Sequence, residues 1–211
     1  MCFSPAASFT IGTALSVIGG ASIAKAPRRE ELMFASIPLL FGMQQLTEGV
    51  IWVSLGNPLV LSAASFVFMF FSHVLWPIFI PASVFLMEPK GWRRWALLAC
   101  TGIGLVVSAY FLYFLMRETV TTFAVNKSIL YMAPHFAVTF VLSPYSVATC
   151  ASCLFSSHRI VNFFGVVTFL SAIVAYRFYE QTFVSVWCFF AAVLSVIIYV
   201  HIARRARVIA A

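Results

Sequence analysis

The chain has 211 residues, of which 63% are hydrophobic and only 9% charged, against roughly half and a quarter in soluble domains. A soluble core of this length cannot hide so much apolar surface, so lipid must cover it and a soluble globular domain is excluded. The net charge of +7 would suit nucleic acid, but no basic stripe is interleaved with base-stacking aromatics, and that partner is set aside.

Seven apolar runs are long enough to cross a bilayer, roughly 5–24, 32–55, 59–87, 95–116, 129–155, 160–177 and 182–203. The expected fold is therefore all-α, a bundle of about seven transmembrane helices forming a single domain over 1–211. The first run follows Met1-Cys2-Phe3-Ser4-Pro5 with no preceding basic residue, as expected for a retained helix rather than a signal peptide. It carries Ser8, Gly12, Ser16, Gly20 and Ala24 at four-residue spacing. Such a stripe lets helix backbones approach closely, which predicts packing inside the same bundle or, alternatively, a dimer interface.

The second run contains Gln44-Gln45-Leu46-Thr47-Glu48-Gly49. Glu48 is the single carboxyl inside an apolar run, where a charge costs on the order of 2.5–3.5 kcal/mol, so it must face the bundle and be paired or protonated. Gln44 and Gln45 share its helical face. Glu30, Glu31, Glu88, Glu118 and Glu180 lie at run ends, where water or Arg partners are expected. The third run holds His73 and then Pro77 and Pro81. The fifth holds Pro134 and Pro144, and all four prolines predict kinks. Between the fourth and fifth runs, Thr121, Thr122, Phe123 and Val125 suggest a short extended flap, followed by the glycosylation-type triplet Asn126-Lys127-Ser128. At about 1.5 Å rise per residue, Glu48, Tyr110, Tyr131 and His135 fall at similar depths in one half of the bilayer, with His73 deeper. Trp52 at one end and Trp76, Trp92 and Trp95 at the other read as interfacial belts. His201, beside Arg204, reads as solvated or in contact with headgroups. Cys100, Cys150, Cys153 and Cys188 read as small buried hydrophobes without disulfides.

The basic residues alternate between sides. Lys25, Arg28, Arg29, Lys90, Arg93, Arg94, Arg159, Arg204, Arg205 and Arg207 occupy one set of gaps, leaving only Arg117, Lys127 and Arg177 of 13 for the other. Basic residues mark the cytoplasmic side, which places the N-terminus outside and the C-terminus in the cytoplasm.

Several strings carry a resemblance. They are Met1-Cys2-Phe3-Ser4, Gln44-Gln45 with Glu48-Gly49, Leu75-Trp76-Pro77, Glu88-Pro89, Ser156-Ser157-His158-Arg159, and Phe183-Val184-Ser185-Val186-Trp187-Cys188-Phe189-Phe190-Ala191-Ala192. Over nearly the whole length the chain resembles an uncharacterised bacterial family of small multispanning membrane proteins, a domain of unknown function. The resemblance implies a bacterial inner-membrane protein and implies no activity. Glu48 and Cys2 fall within its strings; His73 and His135 do not.

The residues support two functional classes. One is a pocket open to the outside, built from Gln44, Gln45, Glu48, His73, Tyr110, Tyr131 and His135, that binds or conducts a small solute, an ion or protons. The other is a structural or interaction subunit of a larger membrane assembly. Retinal chemistry is excluded because Lys25, Lys90 and Lys127 all lie in gaps. A zinc site or a bis-His haem would have to draw on Glu48, His73 and His135 at unequal depths and is the weaker reading. No catalytic residue, metal site or cofactor is assigned, and the reading points away from an enzyme. Membrane lipid is the expected partner, with a small-molecule or ion ligand and a membrane-protein partner as further candidates.

Overall fold

The computed structural model describes residues 4–132 and 138–210; Cys2, Pro134 and His135 lie outside the described residues. The described residues form a bundle of seven helical rods with one small hairpin. The first rod is α1 (Pro5–Ala24), and the second joins α2 (Leu32–Ala35) to α3 (Ile37–Val53). The third runs from α4 (Pro58–Met69) through a π-helical segment (Phe70–Leu75) into α5 (Trp76–Met87), and the fourth is α6 (Trp92–Arg117). Strands β1 (Thr121–Val125) and β2 (Ser128–Met132) follow. The fifth rod is α7 (Val138–Ser146), a second π-helical segment (Val147–Ala151) and α8 (Ser152–Leu154). The sixth is α9 (Arg159–Phe178), and the seventh joins α10 (Phe183–Leu194) to α11 (Val196–Ala210).

Among the described residues, five helices are long and apolar enough to cross a membrane: Pro5–Ala24, Pro58–Met87, Trp92–Arg117, Arg159–Phe178 and Glu180–Arg207. The chain is an integral membrane protein, and lipid is the natural cover for the exposed Leu105, Val106, Phe169 and Leu170 on its outer faces. Trp92 and Trp95, 69% and 74% exposed, project from the start of α6 as interfacial tryptophans do. Helix starts follow local chemistry. Ser4 precedes Pro5 and its Oγ accepts from the Ala7 N–H at 3.2 Å. Asn57 precedes Pro58 and its Oδ1 accepts from the Val60 N–H at 3.4 Å, each cap serving a donor that the first turn leaves unpaired.

The fifth apolar run does not start as a helix. Residues 128–132 form β2, paired antiparallel with β1 in the register Thr122↔Tyr131 and Val125↔Ser128. Asn126 and Lys127 both take positive φ, 47° and 61°, the two-residue turn whose twist matches a hairpin. A short apolar segment such as Ile129-Leu130-Tyr131 fits a strand or a helix end equally well, so the run alone could not locate this boundary. The hairpin is tied to the bundle. Ser65 and Thr122 hydroxyls meet at 2.8 Å, Tyr131 stacks on Phe68 with centroids 4.7 Å apart, and Ile129 is fully buried.

Both π segments lie near prolines. Pro77 follows the first and Pro144 precedes the second, and a missing N–H lets the helical register shift by one. Carbonyls turned out of the ladder find side-chain donors: Tyr145 Oη donates to Ser72 O, and Ser108 Oγ donates to Val74 O at 2.7 Å. Pro81 supplies no N–H to Pro77 O, and that carbonyl instead faces Gly104, where an added Cβ would sit 1.8 Å away.

The most extensive helix contact is α1 against α3. An added Cβ on Gly12 would lie 2.8 Å from Leu46, on Gly19 2.2 Å from the Leu39 nitrogen, and on Gly42 2.7 Å from Ser16. The packed face of α1 is Ser8, Gly12, Leu15, Gly19 and Ser22, which corrects the strict four-residue stripe. A helix turns about 100° per residue, so each four-residue step drifts about 40°. Ser16 is half-buried, and Gly20 has rotated into open space with nothing within 4 Å. Gly19→Ala should therefore force the backbones apart and cost about 1–3 kcal/mol, seen as a lower melting temperature in detergent, whereas Gly20→Ala should leave melting unchanged. Equal effects at the two positions would contradict this packing.

Candidate functional site

Gln44, Gln45 and Glu48 project from one face of α3, and all three are wholly buried. Glu48 Oε1 accepts from Ser185 Oγ of α10 at 2.6 Å. Gln44 Oε1 accepts from Trp76 Nε1 of α5 at 2.8 Å, and Trp76 stacks on Phe41 one turn before Gln44 on α3, with centroids 4.0 Å apart. Trp76 is thus no interfacial anchor, as its place in the sequence suggested. It is 3% exposed, and its indole N–H needed a buried acceptor that Gln44 supplies. The Cys188 thiol lies beside Gln44 and Glu48. The result is a buried polar knot joining three helices, α3, α5 and α10.

On the other side of Cys188 is a cavity of about 140 Å³ lined by Ser72, His73, Tyr131, Tyr145, Phe183 and Trp187 among others. The first π segment aims His73 at it. His73 Nδ1 and Ser72 Oγ are 2.7 Å apart, and the imidazole edge-packs on Phe111 at 4.6 Å. Trp187 donates to Thr168 O at 3.1 Å and stacks on Phe183 with centroids 5.2 Å apart, so the aromatic wall is fixed from behind. A smaller void of about 30 Å³ shares Tyr145, Trp187 and Cys188 as walls and reaches Trp76.

The residues singled out from sequence divide accordingly. His73 and Tyr131 line the cavity. Gln44, Gln45 and Glu48 form the knot behind it and are not among its lining residues. Tyr110 is half-buried and packs on Phe111 and Phe114, away from the cavity lining, and His135 falls outside the described residues. Sequence reasoning missed Ser72, Ser185, Trp76, Tyr145 and Cys188. Ser185 and Cys188 lie in the Phe183–Ala192 string, but nothing in one sequence shows which face of α10 meets Glu48. Among the described residues, no group of three or more His, Cys, Asp or Glu is arranged to hold a metal ion.

The full length, residues 1–211, matches a family described as a family of unknown function, DUF6629. The chain belongs to that family. Comparison with curated proteins and with solved structures finds no match.

Two of the strings singled out from the sequence, Glu88-Pro89 and Ser156-Ser157-His158-Arg159, meet at the opposite end of the bundle, where the basic residues gather. Glu88 and Glu31, expected at helix ends with water or Arg partners, are 4% and 3% exposed. Glu88 Oε2 accepts from Ser157 N at 2.8 Å and from Ser157 Oγ at 3.2 Å. Glu31 Oε1 pairs with Arg205 at 3.0 Å. His201 is not simply solvated: it is half-buried, with its ring 5.9 Å from that of His158. Tertiary packing folded these ends inward, and the carboxylates persist there because each has donors.

Burial lowers the His158 pKa, with Arg205 and Arg28 lowering it further and Glu88 and Glu31 opposing. Arg205 Nη1 also lies 3.5 Å from His158 Nδ1, a placement that favours the neutral ring. As pH falls, the unfolded chain takes up this proton first, so the contribution is complete above about pH 6.5 and lost below it. Melting temperature should decline below about pH 6.5, and His158→Asn should flatten that decline. An unchanged slope in the variant would assign the decline to other groups.

Proposed function

We propose that this protein binds a small solute, or conducts one with protons, through the His73 cavity, with the Glu48 knot lying behind Cys188 of its lining. The observation that carries the reading is the cavity itself: a largely aromatic wall with a few polar groups, Ser72, His73 and the two tyrosines, directed into it. Such sparse polar groups in an apolar concavity are what orient a small ligand. A cavity of about 150 Å³ takes a molecule the size of benzene, so the ligand class is a small aromatic or heteroaromatic molecule with one hydrogen-bonding group. Glu48 supplies a carboxyl one side chain away, behind Cys188. Desolvated groups of this kind are common in proton-linked sites.

The test is a melting screen of the full chain in detergent with phenols and small azoles. A ligand at about 100 times its dissociation constant adds about 2.7 kcal/mol, and Val184→Phe, which fills the cavity, should abolish the gain. If the site is proton-linked, Glu48→Gln should remove any pH dependence of the gain. If no compound stabilises the parent, or if Val184→Phe responds as the parent does, the cavity is not the site.

The distribution of Lys and Arg supports an outward hairpin and N-terminus and a cytoplasmic basic end in a bacterial inner membrane. In a Cys2→Ser background, Lys127→Cys should react with an impermeant thiol reagent in intact cells, and Arg204→Cys only after permeabilisation. The reverse pattern overturns the orientation.

One observation favours a second reading, that of an interaction subunit. The outer face of α1 exposes Thr13, Val17, Gly20 and Ala24, a flat surface on which a partner helix could pack.

A further inference from the structure

We infer that the cleft at the basic end of the bundle is a phosphate-binding site, taking the phosphate of a phospholipid headgroup or a free phosphate. The cleft has a volume of about 470 Å³, and Arg28, Lys90, Arg94 and Arg205 line it together with Glu30, Glu31 and Glu88. By formal charge the lining is nearly balanced, but the charges are not equally committed. Glu31 is buried against Arg205 at 3.0 Å. Glu88 is buried and accepts from Ser156 and Ser157, with Arg93 3.9 Å away. With Glu31 paired to Arg205 and Glu88 beside Arg93, the rest of the charged lining is Arg28, Lys90 and Arg94 against Glu30, an excess of positive charge.

Arg94 is held in place before any ligand arrives. Its guanidinium lies over the Phe85 ring at 4.4 Å, and Nη1 reaches Glu88 O at 3.5 Å. Stacked in this way, a guanidinium has further N–H donors left for an anion and little side-chain entropy to lose. The start of α6 lies between Lys90 and Arg94, and its N-cap Gly91 offers no side-chain cap, so its first amides present the positive end of a 26-residue helix to the same region. Exposed Leu86, with Met87 and Pro89, adds to the lining the apolar surface that a lipid glycerol and acyl chain would need. This inference does not rest on the reading of the His73 cavity.

The experiment uses the full chain in detergent micelles and follows melting temperature. Phosphate is compared with chloride at equal ionic strength, and phosphatidylglycerol with diacylglycerol at equal mole fraction. A saturable rise with phosphatidylglycerol but not with phosphate assigns a lipid headgroup; a rise with phosphate itself assigns a free anion. A basic side chain near anionic groups contributes about five-fold in affinity, so Arg28→Ser with Lys90→Ser should weaken the response about twenty-five-fold. Both residues are exposed, so the fold should be retained. Arg204→Ser with Arg207→Ser removes the same charge from exposed positions outside the cleft and should preserve the response. Equal weakening by the two pairs would show diffuse attraction in place of a site, and absence of a saturable response to either probe would overturn the proposal.

Discussion

A polar group at membrane depth has no bulk water to fall back on, so a partner from another part of the same chain is what lowers its cost. The interior of this bundle is organised by that constraint. Glu48 is held by Ser185, Gln44 by Trp76, and the carbonyls loosened by the first π segment by Tyr145 and Ser108. Each of these bonds crosses from one rod to another, so the helix arrangement follows from where donors and acceptors can meet. An unsatisfied donor or acceptor in such surroundings costs several kcal/mol, more than most single packing contacts supply.

Polar pairing fixes which faces meet, while glycine fixes how closely. Lipid tails are as apolar as Leu side chains, so association between helices relies on close van der Waals packing. At the α1–α3 contact Gly12 and Gly19 of one helix, and Gly42 and Gly49 of the other, leave no room for a Cβ. That approach sets the position of α3, and α3 carries Gln44 and Glu48. The polar knot therefore depends on glycines that do not touch it. Gly104 does the same for the third rod, accepting the Pro77 carbonyl against its own backbone.

The two regions with chemical potential are built on opposite principles. The His73 cavity is mainly apolar, walled by Phe111, Phe183 and Trp187, with its polar groups few and directed. The basic end is a dense mixture of charges in which Glu31 and Glu88 are sequestered by their own partners. As proposed sites, the first suits a small, largely apolar molecule and the second a phosphate group. The two regions share no lining side chains.

The number of rods and the membrane class were determined by the sequence, because length and apolarity of a run are one-dimensional properties that lipid tests directly. So was the burial of Glu48, since a lone carboxyl in an apolar run has nowhere to go but inward. The partners of Glu48 were not determined. Ser185 is 137 residues away, and helical periodicity gives a face without saying what opposes it. The same limit hid Trp76, which by composition looks like any membrane-belt tryptophan, and Tyr145, whose target exists only because a π segment exposes Ser72 O. Gly20 shows where a one-dimensional rule misleads: four-residue spacing looks like a straight stripe in the sequence but winds around a helix of 3.6 residues per turn. The inward folding of Glu31, Glu88 and His201 was a tertiary decision. It required Arg205, Ser157 and His158 to arrive from distant parts of the chain, and only packing of the rods brings them together.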